Sequence, residues 1–215
     1  MLDVDSTVTG IEGIDWLATL RGPVIATRVA ELTRQAMNAR MSLQDVYGER
    51  LRLVAPTSDE VEALARAYIG AVAPGCREAI TAMHDTGIRV ILVSGGLREA
   101  ILPLAEQLGV DSDDVYAVGI RFRAGEYSGF DREAALATSG GKRLVVEHLG
   151  LSRPILAVGD GVTDLEMKPA VDVFGAFTGF VRREPVVSRA DLELRSFGEL
   201  LRFVIPHERS GQELE

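Results

Sequence analysis

With 215 residues, 47% of them hydrophobic and 26% charged, the chain has the make-up of a soluble globular protein with one well-filled core, or of a domain carrying a smaller insert. Its formal charge of −9 argues against nucleic acid or an anionic membrane as the main partner, because both require a basic face; the pair Arg182-Arg183 reads as solvated surface. The single cysteine, Cys76, rules out an internal disulfide and reads as a small buried apolar residue in a reducing compartment. No apolar run reaches the roughly 18–20 residues of a membrane span, and no basic, apolar leader opens the chain, so the expected location is cytoplasmic.

In chain order, residues 14–71 carry a helical period without a strand. "IDWLATLRG" stops at a Gly, and Pro23 opens the next helix. "VIATRVAELTRQAMNAR" places Val24, Ile25, Val29, Leu32 and Met37 near one stripe. Further on, Ser58 is expected to cap the helix that follows it.

The period then changes. "RVILVSGG", "PILAVGDG" and "VDVFGAF" are apolar, β-rich runs ending in Gly or Asp, and helical stretches beginning at Cys76, Arg98 and Gly141 lie between them. That alternation predicts an α/β fold, a doubly wound parallel sheet in three α/β/α layers. "DVYAVGIRFRAGEYSGFD" reads as a β-hairpin appendage around "AGE". The tail "PHERSGQELE" reads as frayed. A buried strand is expected before Asp3, yet only Met1 and Leu2 stand there. A very short strand and a true start further upstream both explain this.

In an open parallel sheet, ligands gather beyond the carboxyl ends of the strands. Asp3/Asp5/Thr7, Ser94-Gly95-Gly96 and Asp160/Thr163/Asp164 fall there, and "SGGK" brings Lys142 to the same edge. Clustered carboxylates repel one another unless a hard cation such as Mg²⁺ lies between them. Ser94, the Gly95 and Gly96 N–H groups at a helix start, and Lys142 suit a phosphoryl group. One Asp can attack phosphorus while the second moves a proton to and from the leaving oxygen.

"DVDST", "VSGG", "GGK" and "GDGVTD" resemble, in order, the four motifs of the haloacid dehalogenase superfamily of phosphatases. More narrowly, "DSTVTGIEGIDWLA", "AMNARMSLQDVYGERL", "PGCREAI", "GEYSGFD", "SGGKRLVVE" and "GDGVTDLEMKPAVDVFGAF" resemble the phosphoserine phosphatase family across nearly the whole chain. The resemblance implies a core of residues 1–14 and 72–215, with a small helical-bundle cap, residues 15–71, inserted after the first strand. It also implies Mg²⁺-dependent hydrolysis of O-phospho-L-serine through an aspartyl-phosphate, the last step of serine synthesis, by a monomer or homodimer. Asp3 becomes the nucleophile and Asp5 the general acid/base. Mg²⁺ is held by Asp3, the Asp5 backbone carbonyl and Asp160. Ser94 and Lys142 grip the phosphoryl group, with Thr163 and Asp164 completing the loop around it. Glu12 meets the substrate ammonium and Arg50 its carboxylate, while Met37 shapes the pocket wall and Gly95 touches the backbone side of the substrate. Asn38 departs from the family's usual Gly, and Arg40 lies close by. The alternatives are the same chemistry, or phosphoryl transfer, on another small phosphorylated alcohol or amine, and a non-catalytic phosphate-binding protein.

Overall fold

The computed structural model describes residues 1–37 and 43–205, without the side chains of residues 36, 37 and 43–45. The stretch read as helical forms α1 (Gly13–Thr19), α2 (Pro23–Met37), α3 (Leu43–Val54) and α4 (Ser58–Gly70), with no strand among the described residues there. Gly22, at φ +83°, lets the chain turn between α1 and α2, and Pro23 supplies the first residue of α2. The cap of α4 is Thr57, one residue before the expected Ser58. Its hydroxyl accepts the Glu60 N–H at 3.3 Å, while Glu60 Oε2 accepts the Thr57 N–H at 2.8 Å. Thr57 wins because it has an acid three residues on to close the reciprocal pair. The Glu60 carboxylate also takes both ends of the Arg21 fork, which ties the end of α1 to the start of α4. Val61, Leu64, Ala65 and Tyr68 form the buried stripe of α4, which packs on α6 (Arg98–Leu108).

The remaining elements are α5 (Cys76–Asp85), β1 (Leu92–Leu97), β2 (Val115–Val118), β3 (Ile120–Arg123), β4 (Glu126–Phe130), α7 (Gly141–Leu149), β5 (Leu156–Gly159), α8 (Val162–Leu165), β6 (Val173–Phe177), α9 (Glu184–Val187), β7 (Leu192–Leu194) and α10 (Phe197–Val204). The last three lie beyond the elements read from the sequence; residues 206–215, including the tail expected to fray, lie outside the described residues. Cys76 is fully buried, and burial pushes its thiol up to about 12. Among the described residues, no helix is long and apolar enough to cross a membrane.

The sheet comes in two parallel parts, β1 with β2 and β5-β6-β7. Among the described residues, Leu2 joins them, bridging Leu92 on one side and Val158 on the other. Its N–H donates to Ile91 O at 2.8 Å and its carbonyl accepts the Val93 N–H at 2.9 Å. On the other flank the Asp3 N–H reaches Val158 O at 3.0 Å. The expected first strand is therefore a single bridging position, and the spatial order is β2-β1-Leu2-β5-β6-β7. Leu2 is buried in the main core cluster. Leu2→Ala is expected to lower stability by about 3 kcal/mol, read as a lower denaturant midpoint, because the side chain packs where both parts of the sheet meet.

The expected single hairpin divides in two. Val115–Val118 runs parallel to β1 as part of the main sheet. Only β3 and β4 form the antiparallel ribbon, turning at Ala124 and Gly125, both at positive φ. The turn leans on the helical insert, since Gly125 O accepts the Ser58 N–H at 2.9 Å.

Candidate active site

Asp3 leaves the Leu2 bridge at the carboxyl edge of the sheet, and residues 3–12 fold back over that edge. Val4 and Val8 are fully buried, and Val4 O accepts the Thr7 and Thr9 N–H groups at 3.3 and 3.0 Å. Ser6 stands at φ 55°, an uncommon conformation for a residue with a side chain. Its hydroxyl donates to Glu12 Oε1 at 2.8 Å. The loop thus carries Asp3, Asp5 and Glu12 into one place.

Asp3 is buried, and its Oδ1 accepts from Lys142 Nζ at 2.5 Å; the same ammonium donates to Asp164 Oδ1. Asp164 Oδ2 accepts the Gly161 N–H at 2.8 Å. A Cβ at Gly159 would collide with the Asp164 carboxyl, so a glycine there is what lets α8 approach β5 so closely. Carboxylate oxygens of Asp3, Asp160 and Asp164, all buried, lie within 4.8 Å of one another. Burial, then the negative charges of Asp164 and Asp3, raise the Asp160 carboxyl well above its usual range. Burial and Asp164 do the same to Asp3 against the pull of Lys142. Burial draws the Lys142 ammonium down, but Asp164 and Asp3 outweigh it and hold it above its ordinary value.

Asp160 Oδ2 is buried without a hydrogen bond, although Arg183 Nη2 approaches it at 2.9 Å. A buried oxygen-only cluster with an unbonded carboxylate oxygen and too little positive charge fits a hard divalent cation. This acidic triad overlaps the expected metal set at Asp3 and Asp160. Asp5 would contribute only its backbone carbonyl there, because its side chain is committed elsewhere. Asp5 Oδ1 accepts from the Tyr68 hydroxyl at 2.6 Å and Oδ2 from the Gly13 N–H at 3.0 Å. Burial, then the charge of Glu12, pushes the Asp5 carboxyl up to about 7.

Ser94 is buried, and its Oγ accepts the Gly96 N–H at 2.9 Å. This corrects one expectation. The Gly96 N–H is spent on Ser94 rather than left for an anion, because β1 runs on through both glycines to Leu97 before α6 begins. Tyr47, from α3, donates its hydroxyl to Gly95 O at 2.8 Å. Arg50, one turn further along α3, is buried; Nη2 stands 3.5 Å from Asp15 Oδ2, and Nε is buried without a partner.

One cavity is lined by Asp3, Asp5, Glu12, Arg50, Ser94, Gly95, Lys142, Asp160, Thr163 and Asp164. With Gly96, which also lines it, these are the residues singled out in the sequence apart from Thr7, which is buried but does not line the cavity, and Met37, whose side chain lies outside the described residues. Three others were not legible. Arg183 was read as surface, yet its side chain is 19% exposed, and Nη2 lies 3.5 Å from Glu12 Oε1 as well as beside Asp160. Tyr47 and Tyr68 look like core residues; the available signal is that a buried phenol needs a hydrogen-bond partner.

The chain matches the sequence profile of the haloacid dehalogenase-like hydrolases over residues 1–168, and it belongs to that family. It is 37% identical over 203 residues to the phosphoserine phosphatase of Rattus norvegicus, covering 93% of this chain and 89% of that one. The chloroplastic phosphoserine phosphatase of Arabidopsis thaliana is 36% identical over 93% of this chain and 69% of its own length. In fold, the chain is similar to a phosphoserine phosphohydrolase-like protein from Francisella tularensis, with a TM-score of 0.87 at 23% identity over 95% of this chain and 98% of that one.

Proposed function

We propose that this protein is a Mg²⁺-dependent phosphatase that hydrolyses O-phospho-L-serine to L-serine and phosphate, the closing step of serine synthesis, as a cytoplasmic monomer or homodimer. One observation carries the reading: a single cavity combines a phosphoryl-handling set (Asp3, Asp5, Ser94, Lys142) with one acid and one fork suited to an amino acid, Glu12 and Arg50. The relatives named phosphoserine phosphatase support the choice of substrate.

Asp3 attacks phosphorus in line and forms an aspartyl-phosphate. Asp5 delivers a proton to the departing serine oxygen, then takes one from the water that opens the intermediate. Its carboxyl, lifted to about 7, suits a group that must hold the proton in one step and lack it in the next. Lys142 spreads positive charge over the phosphoryl oxygens, and Ser94 and Gly95 orient the group. When bound, Mg²⁺ would be held by Asp3, Asp160 and the Asp5 carbonyl, and would neutralise phosphoryl charge. Residues 15–71 act as a cap over the core of residues 1–14 and 72–215 and keep bulk water from the transfer. Glu12 receives the substrate ammonium. Arg50, with its unpartnered Nε, receives the carboxylate.

A panel of phosphate esters assayed on the wild type and on Arg50→Ala tests this. The KM for phosphoserine is expected to rise about 100-fold in the variant, while phosphocholine, which has no carboxylate, changes little. A wild type that turns over phosphocholine or a sugar phosphate as well as phosphoserine would defeat the substrate assignment.

A further inference from the structure

No step above uses the phenol of Tyr68. It stands near the end of α4, fully buried, with its hydroxyl 2.6 Å from Asp5 Oδ1. The slot it occupies is shaped by two glycines. A Cβ at Gly13 would collide with the hydroxyl, and one at Gly96 would lie 3.3 Å from it. Gly13 serves twice, because its N–H holds Asp5 Oδ2 at 3.0 Å while its missing side chain admits the phenol. The Asp5 carboxyl is therefore pinned at both oxygens, once from the start of α1 and once from α4. A carboxylate offers only acceptor oxygens, so the Tyr68 hydroxyl is the donor of this pair. Because α4 packs on α6 in the core, the donor comes from a firmly seated helix.

We propose that Tyr68 is a positioning residue for the acid/base step: its hydrogen bond fixes the Asp5 carboxyl in the orientation that serves the leaving oxygen. This rests on the reading of Asp5 as the acid/base given above. It does not depend on which alcohol leaves. A short, well-placed donor on a carboxylate removes rotational freedom that proton transfer would otherwise have to overcome. The consequence is selective. In kcat/KM, which ends at release of the alcohol and leaves out the later hydrolysis that Asp5 also serves, a leaving group that needs a proton should suffer when the donor is lost, whereas one that departs as a stable anion should not.

The test compares kcat/KM for phosphoserine and for p-nitrophenyl phosphate, whose nitrophenolate leaves without help, in the wild type, Tyr68→Phe and Asp5→Asn. In Tyr68→Phe the value for phosphoserine is expected to fall about tenfold through kcat with KM unchanged, and the value for p-nitrophenyl phosphate by less than about twofold. Asp5→Asn sets the yardstick, with the same contrast in a larger form. Equal losses on both substrates in Tyr68→Phe, or no loss on either, overturn the inference; equal losses are what a merely structural phenol would give. An Asp5→Asn variant without the contrast defeats the acid/base reading itself. Contrast in Asp5→Asn but not in Tyr68→Phe defeats only the role of Tyr68.

Discussion

Asp3→Asn is expected to reduce phosphoserine turnover by about 10⁴-fold or more, to the background of the assay. An amide has the shape of the carboxylate but does not attack phosphorus. Acid-quenched wild type should also carry a phosphoryl group that mass spectrometry assigns to the peptide containing Asp3, and the variant should carry none. A folding defect is a poor explanation for such a loss. In the metal-free protein, burial and Asp164 both oppose the Asp3 charge. Removing that charge relieves repulsion in the triad while Lys142 keeps its ion pair with Asp164. The melting temperature of Asp3→Asn in EDTA should therefore be no lower than that of the wild type. Turnover persisting in a clean preparation of the variant would refute the nucleophile. A sharp drop in melting temperature would instead refute the electrostatic account of the triad.

What the sequence disclosed about this site follows from what a linear pattern can carry. The runs ending in Gly or Asp mark the carboxyl edge of the sheet, and that edge gathers Asp3, Ser94, Lys142, Asp160 and Asp164 whatever the details of packing. A central strand reduced to Leu2 has no period to detect, since one residue cannot alternate. Val115–Val118 reads as part of the hairpin because a short strand beside a turn looks alike whether its partner is parallel or antiparallel; its pairing with β1 decides it. "LEL" in β7 is likewise too short to stand out. Tyr68 and Arg183 were illegible for a different reason. Their roles depend on a hydroxyl and a guanidinium arriving from elements 63 and 23 residues away from Asp5 and Asp160, which no local pattern records. The Gly96 N–H reads as an anion donor because a glycine before a helix resembles an anion cradle, and nothing local reveals its hydrogen bond to Ser94.

Metal removal should make the protein's stability fall as pH rises through the neutral range. Burial raises the carboxyls of Asp5, to about 7, and of Asp3 and Asp160, well above their ordinary value of 3.8. An acid whose folded-state pKa is raised contributes stability that is complete below its unfolded pKa and is lost as pH climbs through the folded one. For Asp5 the window runs from 3.8 to about 7 and is worth up to about 4 kcal/mol. Asp3 and Asp160 extend the decline upward. One group opposes Asp5 inside the same window: burial lowers the Met1 amino group from 8.0 to about 5, so its contribution to stability grows as pH rises from about 5 to about 8. Glu60, Asp172, Asp191 and Glu193 act elsewhere, because their carboxyls are lowered and their stability is lost only as pH falls through the acid range. Lys142 is held charged above its ordinary range, so its contribution persists through neutrality. With Met1 offsetting Asp5, Asp3 and Asp160 carry the balance, and in EDTA the melting temperature should fall between about pH 5 and about pH 8. A divalent cation binds the deprotonated cluster, so Mg²⁺ competes with protons for the same oxygens and stabilises by mass action. The rise in melting temperature on adding Mg²⁺ should be small at about pH 5 and large at about pH 8. Thermal unfolding with EDTA or Mg²⁺ across that range measures both. A melting temperature in EDTA that holds steady or climbs with pH would show that Asp3 and Asp160 carry no excess charge for a cation to neutralise.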